Sequence, residues 1–160
     1  MRLVIEDNAF GSEIAASMAN YYRSNPDSLK NKFVKNEESD KEDLLFPTLM
    51  NFASRFFDLS TMIGYERWGS VDGCPSGWHL DKDEVLYSET SEYSLPLCTI
   101  LYYPEIDTSV GGKFITHTEY ITPKTDRLIM FSSGLPHAIE PFVGKRIAVV
   151  YNPWSYQIRL

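Results

Sequence analysis

Three histidines, at positions 79, 117 and 137, are the only imidazoles in this 160-residue chain, so metal chemistry has few ways to be assembled. His79 and Asp81 are separated by a single leucine. On an extended segment residues i and i+2 project to one face, which lets an imidazole and a carboxylate chelate the same ion. A second histidine from elsewhere completes a two-histidine, one-carboxylate set. That set holds non-haem Fe(II) on one side and leaves its other positions open. The histidine–x–aspartate pair alone is a weak signal, because many chains contain one by chance. His137 and His117 are the two candidates for the missing ligand.

Downstream context favours His137. It follows the apolar run 127–131 (RLIMF) and precedes Arg146 and a second β run, 147–151 (IAVVY). Arg146 stands nine positions after His137, and the intervening stretch is broken at Pro141 and Gly144, which suits a strand–turn–strand connection that aims both side chains into one cavity. Arginine's planar fork matches a carboxylate bidentately. Inside a barrel it requires an anionic partner, and a dicarboxylate co-substrate could bind this arginine at one end and the metal at the other. Read in isolation, Arg146 fits an ordinary surface ion pair equally well. His117 keeps a rival claim, with Arg127 ten residues on.

The elements that must position these residues change character along the chain. Residues 8–25 read as an amphipathic helix with Ile14, Met18, Tyr21 and Tyr22 on its stripe, ended by Asn25-Pro26-Asp27. Residues 35–43 form a mixed charge run, read as a solvated loop or helix start. Residues 44–59 repeat a helical spacing, with Pro47 in the first turn, where it is tolerated. From residue 61 the pattern becomes one of short β-branched or aromatic runs, at 61–68, 96–103, 113–116, 127–132 and 146–151. Helices to about residue 60 followed by strands to about 154 predict one α+β domain, an antiparallel β-sandwich or barrel buttressed by helices. The stretch 83–93 (DEVLYSETSEY), just past the metal pair, reads as a polar, flexible loop over the pocket.

Composition narrows the partners. The formal charge is −7 and the pI near 4.9, against the clustered lysine and arginine of a nucleic-acid binder, so no nucleic-acid partner is expected. Cys74 and Cys98 form no metal or redox motif and read as free thiols. With no apolar leader and no membrane-length run, a soluble, intracellular or cytoplasmic protein is the expectation. Nothing in the pattern reports an oligomeric state.

Several segments, in order, carry a family resemblance: Trp78-His79-Leu80-Asp81; 99–103 (TILYY); Gly111-Gly112-Lys113-Phe114; Pro123 ahead of 127–131; and Pro136-His137 through Gly144-Lys145-Arg146 to Asn152-Pro153-Trp154. Residues 65–154 thereby resemble the catalytic core of the Fe(II)- and 2-oxoglutarate-dependent dioxygenases, most of all the prolyl 4-hydroxylase-like branch. The resemblance implies a double-stranded β-helix (jelly-roll, cupin-like) core. It implies that His79, Asp81 and His137 ligate iron and that Arg146, where that branch commonly has lysine, binds the distal carboxylate of 2-oxoglutarate. The segment holding His117 has no ligand in that family.

The family's aromatic co-substrate contact falls on Tyr103, and a one-residue shift of register would substitute Tyr102. Trp68, Trp78 and Trp154 are expected either at the pocket mouth or in the core. The implied reaction consumes O2 and 2-oxoglutarate, releases succinate and CO2, and hydroxylates an unactivated C–H bond, with ascorbate a possible auxiliary. A prolyl peptide, an amino acid or a small metabolite is the implied substrate. Two other readings stand beside it: a non-catalytic jelly-roll protein binding a metal or small molecule, and a zinc hydrolase.

Overall fold

The computed structural model describes residues 1–37, 43 and 45–160. Most of the charge run at 35–43 and the first residue of the helix expected at 44–59 therefore lie outside the described residues. Among the described residues nine strands and three α-helices follow in the order β1 (Leu3–Asp7), α1 (Ser12–Ser24), β2 (Lys32–Lys35), α2 (Phe46–Ser54), β3 (Gly64–Val71), α3 (Glu84–Thr90), β4 (Cys98–Gly111), β5 (Phe114–Ile115), β6 (Tyr120–Ile121), β7 (Arg127–Ser132), β8 (Ala138–Ile139) and β9 (Phe142–Trp154). A six-stranded antiparallel sheet runs β1-β7-β4-β9-β3-β2, and a smaller one runs β6-β5-β8. The segment 76–79 extends the smaller sheet, because Ile139 donates to the Ser76 carbonyl and His79 and His137 exchange two backbone hydrogen bonds. Strands distant in sequence thus alternate between two facing sheets, the jelly-roll topology.

Period two sorts each central strand into two faces. On β4, Cys98, Ile100 and Tyr102 pack with Leu128 and Met130 of β7 and Ile147, Val149 and Tyr151 of β9, against the helices. The intervening Leu101 and Tyr103 join Ile129, Phe131 and Val150 between the two sheets. The interior of the barrel is therefore built from one set of alternate residues and the helix-facing core from the other.

Several elements depart from the sequence expectation. The buried face of α1 is Ala15, Met18, Ala19 and Tyr22, spaced i, i+3, i+4, i+7, while Ile14 is exposed. Two small alanines let the helix sit close to the sheet, which turns the stripe away from the one the bulkier side chains suggested. The first 60 residues also supply β1 and β2, which pair with β7 and β3 at the two edges of the large sheet. Helix α2 ends at Ser54 in a tightened turn, with Arg55 and Phe56 donating to Phe52 and Ala53. The strands expected at 96–103 and 146–151 are far longer, and β4 shifts register between Tyr102 and Glu105, the irregularity of a bulge. Residues 83–93 are not a plain loop. Asp83 caps α3 by accepting from the Leu86 amide, and Ser91 ends the helix in the left-handed conformation. Among the described residues no helix is long and apolar enough to cross a membrane.

Candidate metal centre

His79 and Asp81 leave the smaller sheet as an extended segment, and His137 stands directly across from His79 in the backbone pairing. The reciprocal bonds, 3.0 Å from His79 N to the His137 carbonyl and 3.1 Å in return, bring the two imidazole rings to 4.3 Å between centroids. One ligand atom from each of His79, Asp81 and His137 lies within 4.8 Å of the others, close enough for a single divalent ion to bridge them. His79 Nε2 is 3.9 Å from one Asp81 oxygen and His137 Nε2 is 3.8 Å from the other.

The surroundings set the form of each group. His79 Nδ1–H donates to the Gly77 carbonyl at 2.8 Å and His137 Nδ1–H to the Leu135 carbonyl at 2.9 Å. Both assignments leave the Nε2 lone pairs facing Asp81, the arrangement that metal-ligating histidines adopt. Burial pushes the pKa of His137 below its ordinary value, partly offset by the Asp81 charge, so its neutral, ligating form is favoured. Phe114 and Phe131 flank the His137 ring at 5.2 and 4.8 Å. Thr99 Oγ1 donates to Asp81 Oδ2 at 2.6 Å, orienting the carboxylate; the sequence reading did not assign this threonine a role.

A cavity of about 100 Å³ between the sheets is lined by these three residues and, farther in, by Arg146. Arg146 is 3% exposed and on the inner face of β9. Its Nη1 donates to the Gly112 carbonyl at 3.3 Å, and its guanidinium lies 4.7 Å from the Phe142 ring and 5.0 Å from the Tyr103 ring. Among the described residues no carboxylate forms an ion pair with it. Gly111 and Gly112 both adopt φ +76°, and a Cβ on Gly112 would press within 3.3 Å of Arg146 Nη1. The turn is thus glycine both for its backbone and for the space beside the guanidinium.

Tyr103 is inside the barrel and Tyr102 outside. The Tyr103 hydroxyl is buried without a hydrogen-bond partner beside Arg146. Burial raises its pKa, opposed in part by the arginine's charge. Tyr102 instead donates to Asp126 at 2.9 Å in the helix-facing core. Of the three tryptophans only Trp68 lines the main cavity. Trp78 is 53% exposed, outside it, and stacks on His117 at 4.7 Å. Trp154 is buried and does not line the cavity, so it belongs to the core rather than the pocket. His117 takes no part in the donor cluster.

A jelly roll with two histidines and a carboxylate converging on one point, and a buried arginine deeper in the same cavity, is the class that fold and site define. No protein-family model matches the chain, and no curated protein matches it in sequence. Solved structures do share its fold. The viral collagen prolyl hydroxylase of Paramecium bursaria Chlorella virus-1, solved with 2OG, superposes at TM-score 0.69 and 13% identity over 98% of this chain and 97% of its own. A prolyl-4-hydroxylase from Pseudomonas putida gives 0.69 and 13% over 99% and 88%. A prolyl hydroxylase from Trichoplax adhaerens, in complex with a hypoxia inducible factor oxygen degradation domain peptide fragment, gives 0.57 and 16% over 96% and 83%.

Proposed function

We propose that this protein is an Fe(II)- and 2-oxoglutarate-dependent dioxygenase of the prolyl 4-hydroxylase-like branch, hydroxylating an unactivated C–H bond. The observation that carries the reading is the pairing, in one cavity, of the His79–Asp81–His137 donors with a buried guanidinium that has no carboxylate partner among the described residues. The donor chemistry fits Fe(II), since two neutral imidazoles and one carboxylate balance part of its charge and leave room for further ligands. The orphaned Arg146 and the unpartnered Tyr103 hydroxyl together fit one end of a dicarboxylate. When bound, iron and 2-oxoglutarate supply the oxidising chemistry, with O2 consumed and succinate and CO2 released.

The chain's own residues do the rest. His79, Asp81 and His137 hold the metal, with Thr99 fixing the carboxylate. Arg146 grips the distal carboxylate and Tyr103 adds a hydrogen bond to it. Leu101, Phe114, Phe131 and Val150 keep the interior apolar and exclude water from the reacting groups. Prolyl peptides head the substrate candidates because the neighbours named above are prolyl hydroxylases, one of them seen with a peptide fragment. Free amino acids and small metabolites follow.

Anaerobic titration of Fe(II) and 2-oxoglutarate tests the reading. A weak visible charge-transfer band is expected, lost in His79→Ala and accompanied on aeration by O2-dependent succinate. Absence of the band in the wild-type protein refutes the oxygenase, and hydrolysis without O2 would point to zinc chemistry instead. A screen of prolyl peptides and amino acids for a mass gain of one oxygen then names the substrate class.

A further inference from the structure

Arg146 is not the only polar group on the inner face of β9. Six residues on, at roughly 3.3 Å per residue, Asn152 points into the opposite end of the barrel about 20 Å away. It is 2% exposed, and its side-chain carbonyl Oδ1 has no hydrogen-bond partner. Directly across the ladder is Glu66 of β3, 9% exposed and also inward-facing. Glu66 Oε1 accepts from Asn31 Nδ2 at 2.9 Å, Oε2 receives a stretched contact of 3.4 Å from Asn152 Nδ2, and the buried Trp154 indole N–H also favours the charged carboxylate. Turning the Asn152 amide over would set oxygen against carboxylate, so the unpartnered atom is the acceptor. Glu66, Asn152 and Asn31 line a groove that also contains His79 and Asp81.

The groove is therefore rich in acceptors and short of donors. Two lysines reach its rim, but each is neutralised locally: Lys82 binds Glu84 at 2.7 Å and Lys30 binds Asp27 at 3.1 Å. A buried carbonyl with no partner costs free energy in the empty protein, and a carboxylate beside it adds to that cost. A ligand bearing a positively charged N–H group would satisfy both at once.

We infer that Glu66 and Asn152 form a substrate subsite that receives a protonated amine and so orients the substrate beside the His79–Asp81 end of the cavity. The barrel is then polarised, with the anion-binding guanidinium at one end and the cation-binding pair at the other. This rests on the oxygenase reading for the meaning of "substrate", but the subsite itself is a matter of binding. The amine could be an α-ammonium or a side-chain ammonium, which share this chemistry.

Three related probes separate the cases, read by the indole fluorescence of the chain, of whose tryptophans Trp68 lines the groove, in protein loaded with Fe(II) and 2-oxoglutarate under anaerobic conditions. Norleucine methylamide carries only an α-ammonium, Nα-acetyl-lysine methylamide only a side-chain ammonium, and Nα-acetyl-norleucine methylamide no charge. One cationic probe is expected to bind at least tenfold more tightly than the neutral one, and which one it is names the source. Glu66→Gln, which keeps the size and the Asn31 contact, is expected to abolish that preference, and Asn152→Ala to reduce it with Glu66 intact. Equal binding of all three probes, no cationic binding, or a preference that survives Glu66→Gln overturns the subsite. No turnover is needed, so failure here with the charge-transfer band present sinks the subsite alone, whereas a missing band sinks the oxygenase reading.

Discussion

Replacing Arg146 with methionine separates the cost of the buried guanidinium from its use. In the ligand-free protein this group is 3% exposed and holds one 3.3 Å hydrogen bond and two aromatic rings at 4.7 and 5.0 Å. Taking a charge out of water costs several kcal/mol. The two rings return about 1–2 kcal/mol each. The bond to the Gly112 carbonyl, long for its type, returns about 1.5 kcal/mol. Those terms nearly cancel, and methionine fills much of the same apolar space. The melting temperature of ligand-free Arg146→Met is therefore expected within about 4 °C of wild type, corresponding to roughly 1 kcal/mol for a domain of this size. Binding of 2-oxoglutarate behaves differently, because the variant would leave a carboxylate buried without its partner, a loss of about 2–5 kcal/mol. At 3 kcal/mol the affinity falls by about 150-fold, since 1.4 kcal/mol is a factor of ten. Anaerobic titration of the charge-transfer band measures the affinity, and thermal unfolding measures the stability. Affinity within threefold of wild type would refute the assignment of Arg146 to the co-substrate.

Thr99→Val removes the donor to Asp81 at nearly constant volume, and metal affinity is expected to fall about 10–100-fold, as for other groups that orient ligands. A Co(II) titration with unchanged far-ultraviolet circular dichroism checks this, and affinity within twofold of wild type contradicts it. The two neighbouring tyrosines should divide cleanly. Tyr102→Phe is expected to cost about 1 kcal/mol of stability by removing one of the donors to Asp126, with co-substrate affinity unchanged. Tyr103→Phe is expected to leave stability unchanged or improved and to weaken 2-oxoglutarate about tenfold, the loss of a hydrogen bond to a charged group. The opposite division would exchange their roles. Burial raises the pKa of Glu66, so the native state holds this proton more tightly than the unfolded chain. Stability is therefore lost as pH rises through the unfolded value toward the native one. Glu66→Gln is expected to raise the melting temperature at pH 7 and to lose that advantage below the ordinary carboxylate range, measured by melts across pH. An advantage that persists at low pH would place its cause outside ionisation.

What could be read from the chain followed from local geometry. The i, i+2 rule placed His79 and Asp81 on one face, and period two on β4 chose Tyr103 over Tyr102 once the barrel side was known. The strand at 127–132 coincides with β7. Information about distant partners was missing. Nothing local in residues 3–7 says that they pair with β7, more than 120 positions away. Trp154 shares the inward face of Arg146, but eight residues at about 3.3 Å carry it past the cavity to the far end of the barrel. The capping of α3 was present as Asp83 three residues before Leu86, a signal hidden by the polar composition around it. Thr99 and Glu66 acquire meaning only from the strands opposite them.

The two backbone hydrogen bonds between His79 and His137 tie the imidazoles to the main chain of the smaller sheet rather than to the ion between them. Removing either ring leaves its α-carbon held by the same ladder, and the opposite ring has no reason to move. A variant such as His79→Ala is then a clean vacancy of one imidazole in an otherwise standing frame. That makes the site a suitable host for an added free imidazole or another exogenous base, with the ligand field changed and the architecture left alone.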